Sequence, residues 1–119
     1  YKHEFNPPHW HGGLYSFVIW MKIPYSWHEQ IQLPQFQTTK IEDRKAGMFE
    51  FEYSDTRGET RSLSYQLSPD FEGCMCFFPA WMRHAVYPFF DTDEERVSIS
   101  GNVWYDTGTP TTKGKGFGL

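Results

Sequence analysis

Apolar and polar positions alternate from Met48 to Tyr53, where Phe49, Phe51 and Tyr53 are set against Glu50 and Glu52. A period of two sends successive side chains to opposite faces of an extended chain, so this run predicts a half-buried strand. After a turn around Asp55 to Gly58, Arg61 to Leu67 alternates again with Leu63, Tyr65 and Leu67 on one face. Two such runs joined by a short turn predict an antiparallel hairpin. Upstream, Tyr1 to Phe5 reads as the end of a strand and Asn6-Pro7-Pro8 as a turn, because proline has no N–H for a ladder. The longest strand candidate then runs from His9 to Ile23, with Gly12-Gly13 permitting a bulge or a close approach of backbone. Pro24 ends it. Tyr25 to Ala46 is a Gln-rich connection with Pro34 inside it and a charged close from Lys40 to Lys45. It exceeds the usual loop length, which predicts a functional segment or a partly ordered lid.

Ser68-Pro69-Asp70 turns the chain once more, and Cys74 to Pro79, Ala85 to Phe89 and Arg96 to Tyr105 predict three further strands, the last entered through the acidic turn Asp91 to Glu95. No internal repeat and no amphipathic helix interrupts this succession. Closely spaced strands of this kind predict an all-β sandwich or barrel over residues 1–106. The remaining residues, 107–119, are rich in Gly, Thr and Lys without an apolar period, and a disordered tail is expected there.

Length and composition narrow the picture. A chain of 119 residues and 14.1 kDa is one domain with room for a real core. Aromatic residues make up 19% of it, which reinforces the strand assignments. A net charge of −4 without any basic run excludes a general affinity for nucleic-acid phosphates. The longest apolar run, Phe17 to Met21, is far short of the roughly 20 residues that span a bilayer. No signal peptide is visible, and a soluble cytoplasmic protein is expected. Cys74 and Cys76 stand two apart and do not face each other, so they read as reduced core thiols and fit a reducing compartment.

Three of the five histidines carry direction. His9 and His11, two apart on an extended strand, project from one face and can reach a single ion. Neutral imidazoles suit iron, zinc or copper, and His84 on a distant strand is the one well-placed candidate to complete a facial set. The bland alternative makes His9 and His11 exposed polar residues and His84 a hydrogen-bonded core histidine. On the last predicted strand Arg96, Ser98, Ser100 and Asn102 share a face opposite Val97, Ile99 and Val103. An arginine on that face is costly unless it meets a carboxylate, which its planar fork matches bidentately, and Ser98 adds a hydroxyl to the same carboxylate. A pair with a glutamate of the preceding turn is the alternative.

Phe78-Pro79-Ala80-Trp81, then His84, then Arg96-Val97-Ser98 a dozen residues later, resembles the C-terminal half of the iron(II)/2-oxoglutarate-dependent oxygenases, in particular their short members from bacteria and marine phages. The resemblance covers roughly residues 1–106. It implies a double-stranded β-helix, or jelly roll, and a chain that lacks part of the N-terminal region of the family. It implies Fe(II) held by His9, His84 and His11, and 2-oxoglutarate anchored through its far carboxylate on Arg96 and Ser98. Tyr15, at even spacing from both early histidines, is a further candidate contact to 2-oxoglutarate, a core tyrosine being the other reading. Most of the family has His-x-Asp or His-x-Glu where this chain has His9-Trp10-His11, so a three-histidine site and a two-histidine site completed by water both stand. A histidine at that position argues against halogenation, which needs a small residue there.

The activity implied is a dioxygenase that hydroxylates a C–H bond of a protein side chain or small molecule while 2-oxoglutarate becomes succinate and CO2. Two other readings stand beside it. One is a cupin-like metalloprotein without 2-oxoglutarate, which leaves Arg96 without a purpose. The other is a non-catalytic β-sandwich module, binding glycans through exposed aromatic faces.

Overall fold

The computed structural model describes residues 1–106 and the backbone of Phe117–Gly118. Eight strands, β1 (Asn6–His9), β2 (Tyr15–Lys22), β3 (Met48–Ser54), β4 (Thr60–Gln66), β5 (Met75–Pro79), β6 (Arg83–Val86), β7 (Val97–Val103) and β8 (Phe117–Gly118), form two sheets. The first has the order β1-β6-β3-β4 and the second β5-β2-β7-β8, with every pairing antiparallel. The chain passes back and forth between them, and the result is the expected all-β jelly roll. The expectation of disorder after Asp106 falls largely on residues 107–116 and 119, which lie outside the described residues.

Alternation along the strands builds the core. Ser16, Val18 and Trp20 of β2 and Phe49 and Phe51 of β3 point between the sheets and are buried. Aromatic edges join the two layers, Trp20 meeting Phe49 at 5.6 Å and Phe51 meeting Phe78 at 4.9 Å between ring centroids. The hairpin predicted from Met48 forms in register, Phe49 opposite Tyr65 and Phe51 opposite Leu63. The outer face of the second sheet carries no such cover among the described residues. Tyr15 and Met21 of β2, Met75 and Phe77 of β5, and Val97 and Ile99 of β7 all stand exposed on it.

Several elements depart from the sequence reading. Asn6-Pro7-Pro8 is strand and not turn: β1 is the edge of its sheet, where a missing N–H costs no ladder bond, and its register slips between Asn6 and His9. The long strand from His9 to Ile23 is two strands in different sheets. Gly13, at φ 102°, turns the chain, and a Cβ on Gly12 would lie 2.7 Å from the Trp104 ring. β6 begins at Arg83 and stops at Val86, ahead of Pro88, so Phe89 leaves the ladder and is fully buried in the core. Both cysteines are free, but Cys74 precedes β5 in a turn and is exposed, so only half-buried Cys76 packs against the core.

The connection from Tyr25 to Ala46 holds a short helix α1 (Trp27–Gln30) and two 3-10 turns, Pro34–Phe36 and Ile41–Asp43. It lies on the outer face of the first sheet, where Ile31, Ala46 and Met48 form a second small core with Trp27, Phe36 and Phe90. It is therefore not a lid over the inner face. Its presence also explains Glu50, which the alternation assigns to solvent but which is 2% exposed. Lys45 at 2.6 Å and the Ser64 hydroxyl at 2.8 Å satisfy that carboxylate beneath the connection. No helix among the described residues is long and apolar enough to cross a membrane.

Candidate metal centre and co-substrate site

The antiparallel register of β1 and β6 sets His9 directly opposite His84, so both side chains leave the same, inner face. His11 follows just beyond β1, where its amide donates to the Ala80 carbonyl at 3.0 Å. One ligand atom from each of the three imidazoles lies within 4.8 Å of the other two. The Nδ1 of His9 lies 2.6 Å from the Pro7 carbonyl and that of His84 lies 3.1 Å from the Met82 carbonyl. A carbonyl only accepts, so each Nδ1 carries the proton and each Nε2 keeps its lone pair for a ligand. Phe49 and Phe78 wall His84, their ring centroids 5.7 and 5.0 Å from it. Burial pushes the His84 pKa down to about 4, and burial together with His9 lowers that of His11. These two rings are neutral at neutral pH, the state that binds metal.

Arg96 enters the space between the sheets immediately before β7. Its Nη1 donates to the Tyr25 hydroxyl at 2.7 Å and to the Tyr87 carbonyl at 3.3 Å, and the guanidinium lies 5.2 Å above the Phe89 ring. Tyr25 is itself fixed, its hydroxyl donating to the Gly47 carbonyl at 2.9 Å. Gly47, at φ 70°, makes room for that ring, since a Cβ there would stand 2.6 Å from it. The acidic turn before β7 is occupied elsewhere: Asp93 pairs with Lys2, Glu94 with Lys22, and Glu95 meets the Tyr1 hydroxyl. Arg96 is thus held by neutral acceptors, and no carboxylate among the described residues forms a salt bridge with it.

Ser98, Ser100 and Asn102 lie opposite Trp20, Val18 and Ser16 in the β2–β7 register and share their inward direction. A cavity of about 150 Å³ is lined by the three histidines together with Ser16, Phe78 and Asn102. A second of about 570 Å³ holds Arg96, Trp20, Tyr1 and Phe5. Asn6, Val18, Phe49, Val86 and Ser98 line both, so the imidazoles and the guanidinium line adjoining cavities that share these walls.

Tyr15 does not belong to it. The turn at Gly12-Gly13 resets the phase between the histidines and β2, so even spacing no longer means a shared face. Ser16 takes the inward position, and the Tyr15 ring stacks on Phe77 at 4.9 Å on the outer face of the second sheet. Sequence reasoning also missed Tyr25, the acceptor that holds Arg96 from 71 positions away. No local pattern marks it; only the Gly47 turn beside a charged stretch hints that a side chain is seated there.

The protein-family model described as "Putative 2OG-Fe(II) oxygenase" matches residues 1–102. The chain belongs to that family. No curated protein and no solved structure matches it. The 2OG-Fe(II) oxygenases take Fe(II) and 2-oxoglutarate, and the donor set here fits both demands. Imidazole nitrogens with free lone pairs suit a divalent first-row metal, and an arginine without an acidic partner among the described residues suits a carboxylate.

Proposed function

We propose that this oxygenase is an Fe(II)- and 2-oxoglutarate-dependent dioxygenase that hydroxylates a C–H bond of its substrate. The observation that carries the reading is the pair of adjoining cavities lined by three lone-pair-bearing imidazoles and by an arginine without an acidic partner among the described residues. His9 and His84 would hold the metal through Nε2, with His11 as the third protein ligand. Arg96 and the Ser98 hydroxyl would grip the far carboxylate of 2-oxoglutarate. Bound together, Fe(II) and 2-oxoglutarate supply the oxidation of 2-oxoglutarate to succinate and CO2 and, from O2, the oxygen atom placed on the substrate carbon. The chain's own contribution is orientation. Pro7 and Met82 fix two rings by their carbonyls, Tyr25 and Phe89 fix the guanidinium plane, and Phe49 and Phe78 wall the His84 ring from water.

The test is anaerobic titration of the Fe(II)-loaded protein with 2-oxoglutarate, followed in the visible spectrum. One Fe(II) per chain and the metal-to-ligand charge-transfer band of a chelated 2-oxo acid are expected. Metal uptake without the band, and without 2-oxoglutarate binding by calorimetry, would favour the cupin-like reading. Absence of metal uptake would favour the binding module.

A further inference from the structure

Arg96 accounts for one end of 2-oxoglutarate, and the wall that runs from it to the imidazoles offers a group for the other. The inward positions on and just before β7 are Arg96, Ser98, Ser100 and Asn102, a row of polar side chains leading from the guanidinium to the histidine cavity. Backbone hydrogen bonds fix which member stands at the histidine end. The His11 amide donates to the Ala80 carbonyl at 3.0 Å, the Ala80 amide to the Leu14 carbonyl at 3.0 Å, and the Leu14 amide to the Val103 carbonyl at 2.9 Å. His11 is thereby tied across the strands to the residue next to Asn102. Ser98 and Asn6 line both cavities, so they stand at the junction towards Arg96, and Ser100 lies between Ser98 and Asn102 in the row.

Asn102 differs from these neighbours in being fixed by another side chain. Ser16, opposite it in register and 2% exposed, donates its hydroxyl to the Asn102 Oδ1 at 2.6 Å. That bond orients the amide: Oδ1 is turned to Ser16, and Nδ2, with two hydrogens, has no acceptor among the described residues. The other donors near the histidines are committed. His9 and His84 give their Nδ1 protons to the Pro7 and Met82 carbonyls, and Ser16 gives its proton to Asn102. No Lys, Arg, Asp or Glu among the described residues lines the histidine cavity, so an anionic group there depends on a neutral donor.

A 2-oxo acid that chelates a metal gives it the keto oxygen and one oxygen of the adjacent carboxylate. The second oxygen of that carboxylate needs a hydrogen-bond donor once water has left. We propose that Asn102 holds this near carboxylate of 2-oxoglutarate, its Nδ2 donating to the second oxygen while Ser16 holds the amide from behind. Arg96 and Asn102 then grip the two ends of one molecule laid along β7. The assignment rests on the oxygenase reading and adds to it a specific contact beside the metal, with Ser16 as a positioning residue.

The test uses the whole chain, loaded with Fe(II) without oxygen, and follows ligand binding by calorimetry and by the charge-transfer band. Asn102→Ala is expected to weaken 2-oxoglutarate about ten- to a hundredfold, as for loss of one hydrogen bond to a charged group. Ser16→Ala, which frees the amide without removing it, is expected to cost about two- to tenfold. Fe(II) affinity measured without 2-oxoglutarate should hold in Asn102→Ala, which also verifies its fold. At saturating 2-oxoglutarate the band of that variant should move to shorter wavelength, because the lost hydrogen bond no longer lowers the acceptor orbital of the 2-oxo acid. A misfolded fraction cannot move a band. Arg96→Ala acts at the far carboxylate and should leave the band in place. 2-Oxopentanoate, which keeps the near carboxylate and lacks the far one, should lose the same factor on Asn102→Ala and nothing on Arg96→Ala. Wild-type affinity for 2-oxoglutarate in Asn102→Ala, an unmoved band, or a parallel fall in Fe(II) affinity would overturn the assignment, while the wild-type band keeps the oxygenase reading intact. Failure of the wild type itself to bind 2-oxoglutarate would overturn both.

Discussion

At the scale of single residues, the three histidines and Arg96 make separable demands. His84→Ala is expected to lower Fe(II) affinity most, and His11→Ala clearly but less, because water can fill the vacated position. His11→Asp is expected to restore binding, since a carboxylate completes the usual two-histidine iron face. Equal Fe(II) titrations of the wild type and His11→Ala would reduce the site to two histidines. Arg96→Ala is expected to weaken 2-oxoglutarate by about 2 to 4 kcal/mol in calorimetry while Fe(II) affinity holds, and Arg96→Lys to recover only part of it. His84 also makes the metal-free protein sensitive to acid. Its folded pKa of about 4 lies below the ordinary histidine value of 6.5, so between those limits the unfolded chain binds more protons and stability rises with pH. Acidification through that window is expected to cost about 2 to 3 kcal/mol in urea denaturation, and His84→Asn to flatten the dependence. Asp55 and Asp93, held below the carboxylate range by Arg61 and Lys2, lose their contributions only at more acidic pH.

Strands and turns decide which of these residues meet. In the sequence, the two-residue repeat of a strand gives His9 and His11 one face and Arg96 and Ser98 another, and the family resemblance is what joins His84 to them. Tyr15 was misplaced because the Gly12-Gly13 turn sits between it and the histidines, and a change of phase across a glycine turn leaves no trace in spacing. The prolines of β1 misled in the same way: whether a strand is an edge depends on neighbours that come much later in the chain. The turn at Gly47 makes the most specific demand. Gly47→Ala adds a Cβ that must displace the Tyr25 ring at a φ that side chains rarely adopt. A loss of about 1 to 3 kcal/mol in denaturant stability is expected. Because Tyr25 carries Arg96, 2-oxoglutarate affinity should fall with it while Fe(II) affinity does not. An unchanged 2-oxoglutarate affinity would detach Tyr25 from the positioning of the guanidinium.

Across the molecule, an all-β sandwich or barrel could be read from the succession of short strands and the jelly roll came only with the family resemblance, but the side on which the Tyr25–Ala46 connection lies could not be read, because its Gln-rich sequence has no period that names a face. Its anchors are tertiary: Trp27 donates its amide to the Leu67 carbonyl and the Phe90 amide donates to the Gln30 side-chain oxygen, while Arg44 closes the connection on itself through the Ile31 and Thr39 carbonyls. Replacing residues 34–43 by a short Gly/Ser linker is therefore expected to lower the denaturation midpoint by uncovering Met48 and Glu50. Fe(II) binding per folded molecule, measured in the same samples, should not change. The opposite sheet carries the reverse condition, an outer face where Tyr15, Phe77, Met75, Met21, Val97 and Ile99 stand uncovered. Dyes that fluoresce on contact with oily surfaces will therefore light up on the native protein, which in this case carries the usual optical mark of a loosened acid state while its side chains remain fully packed.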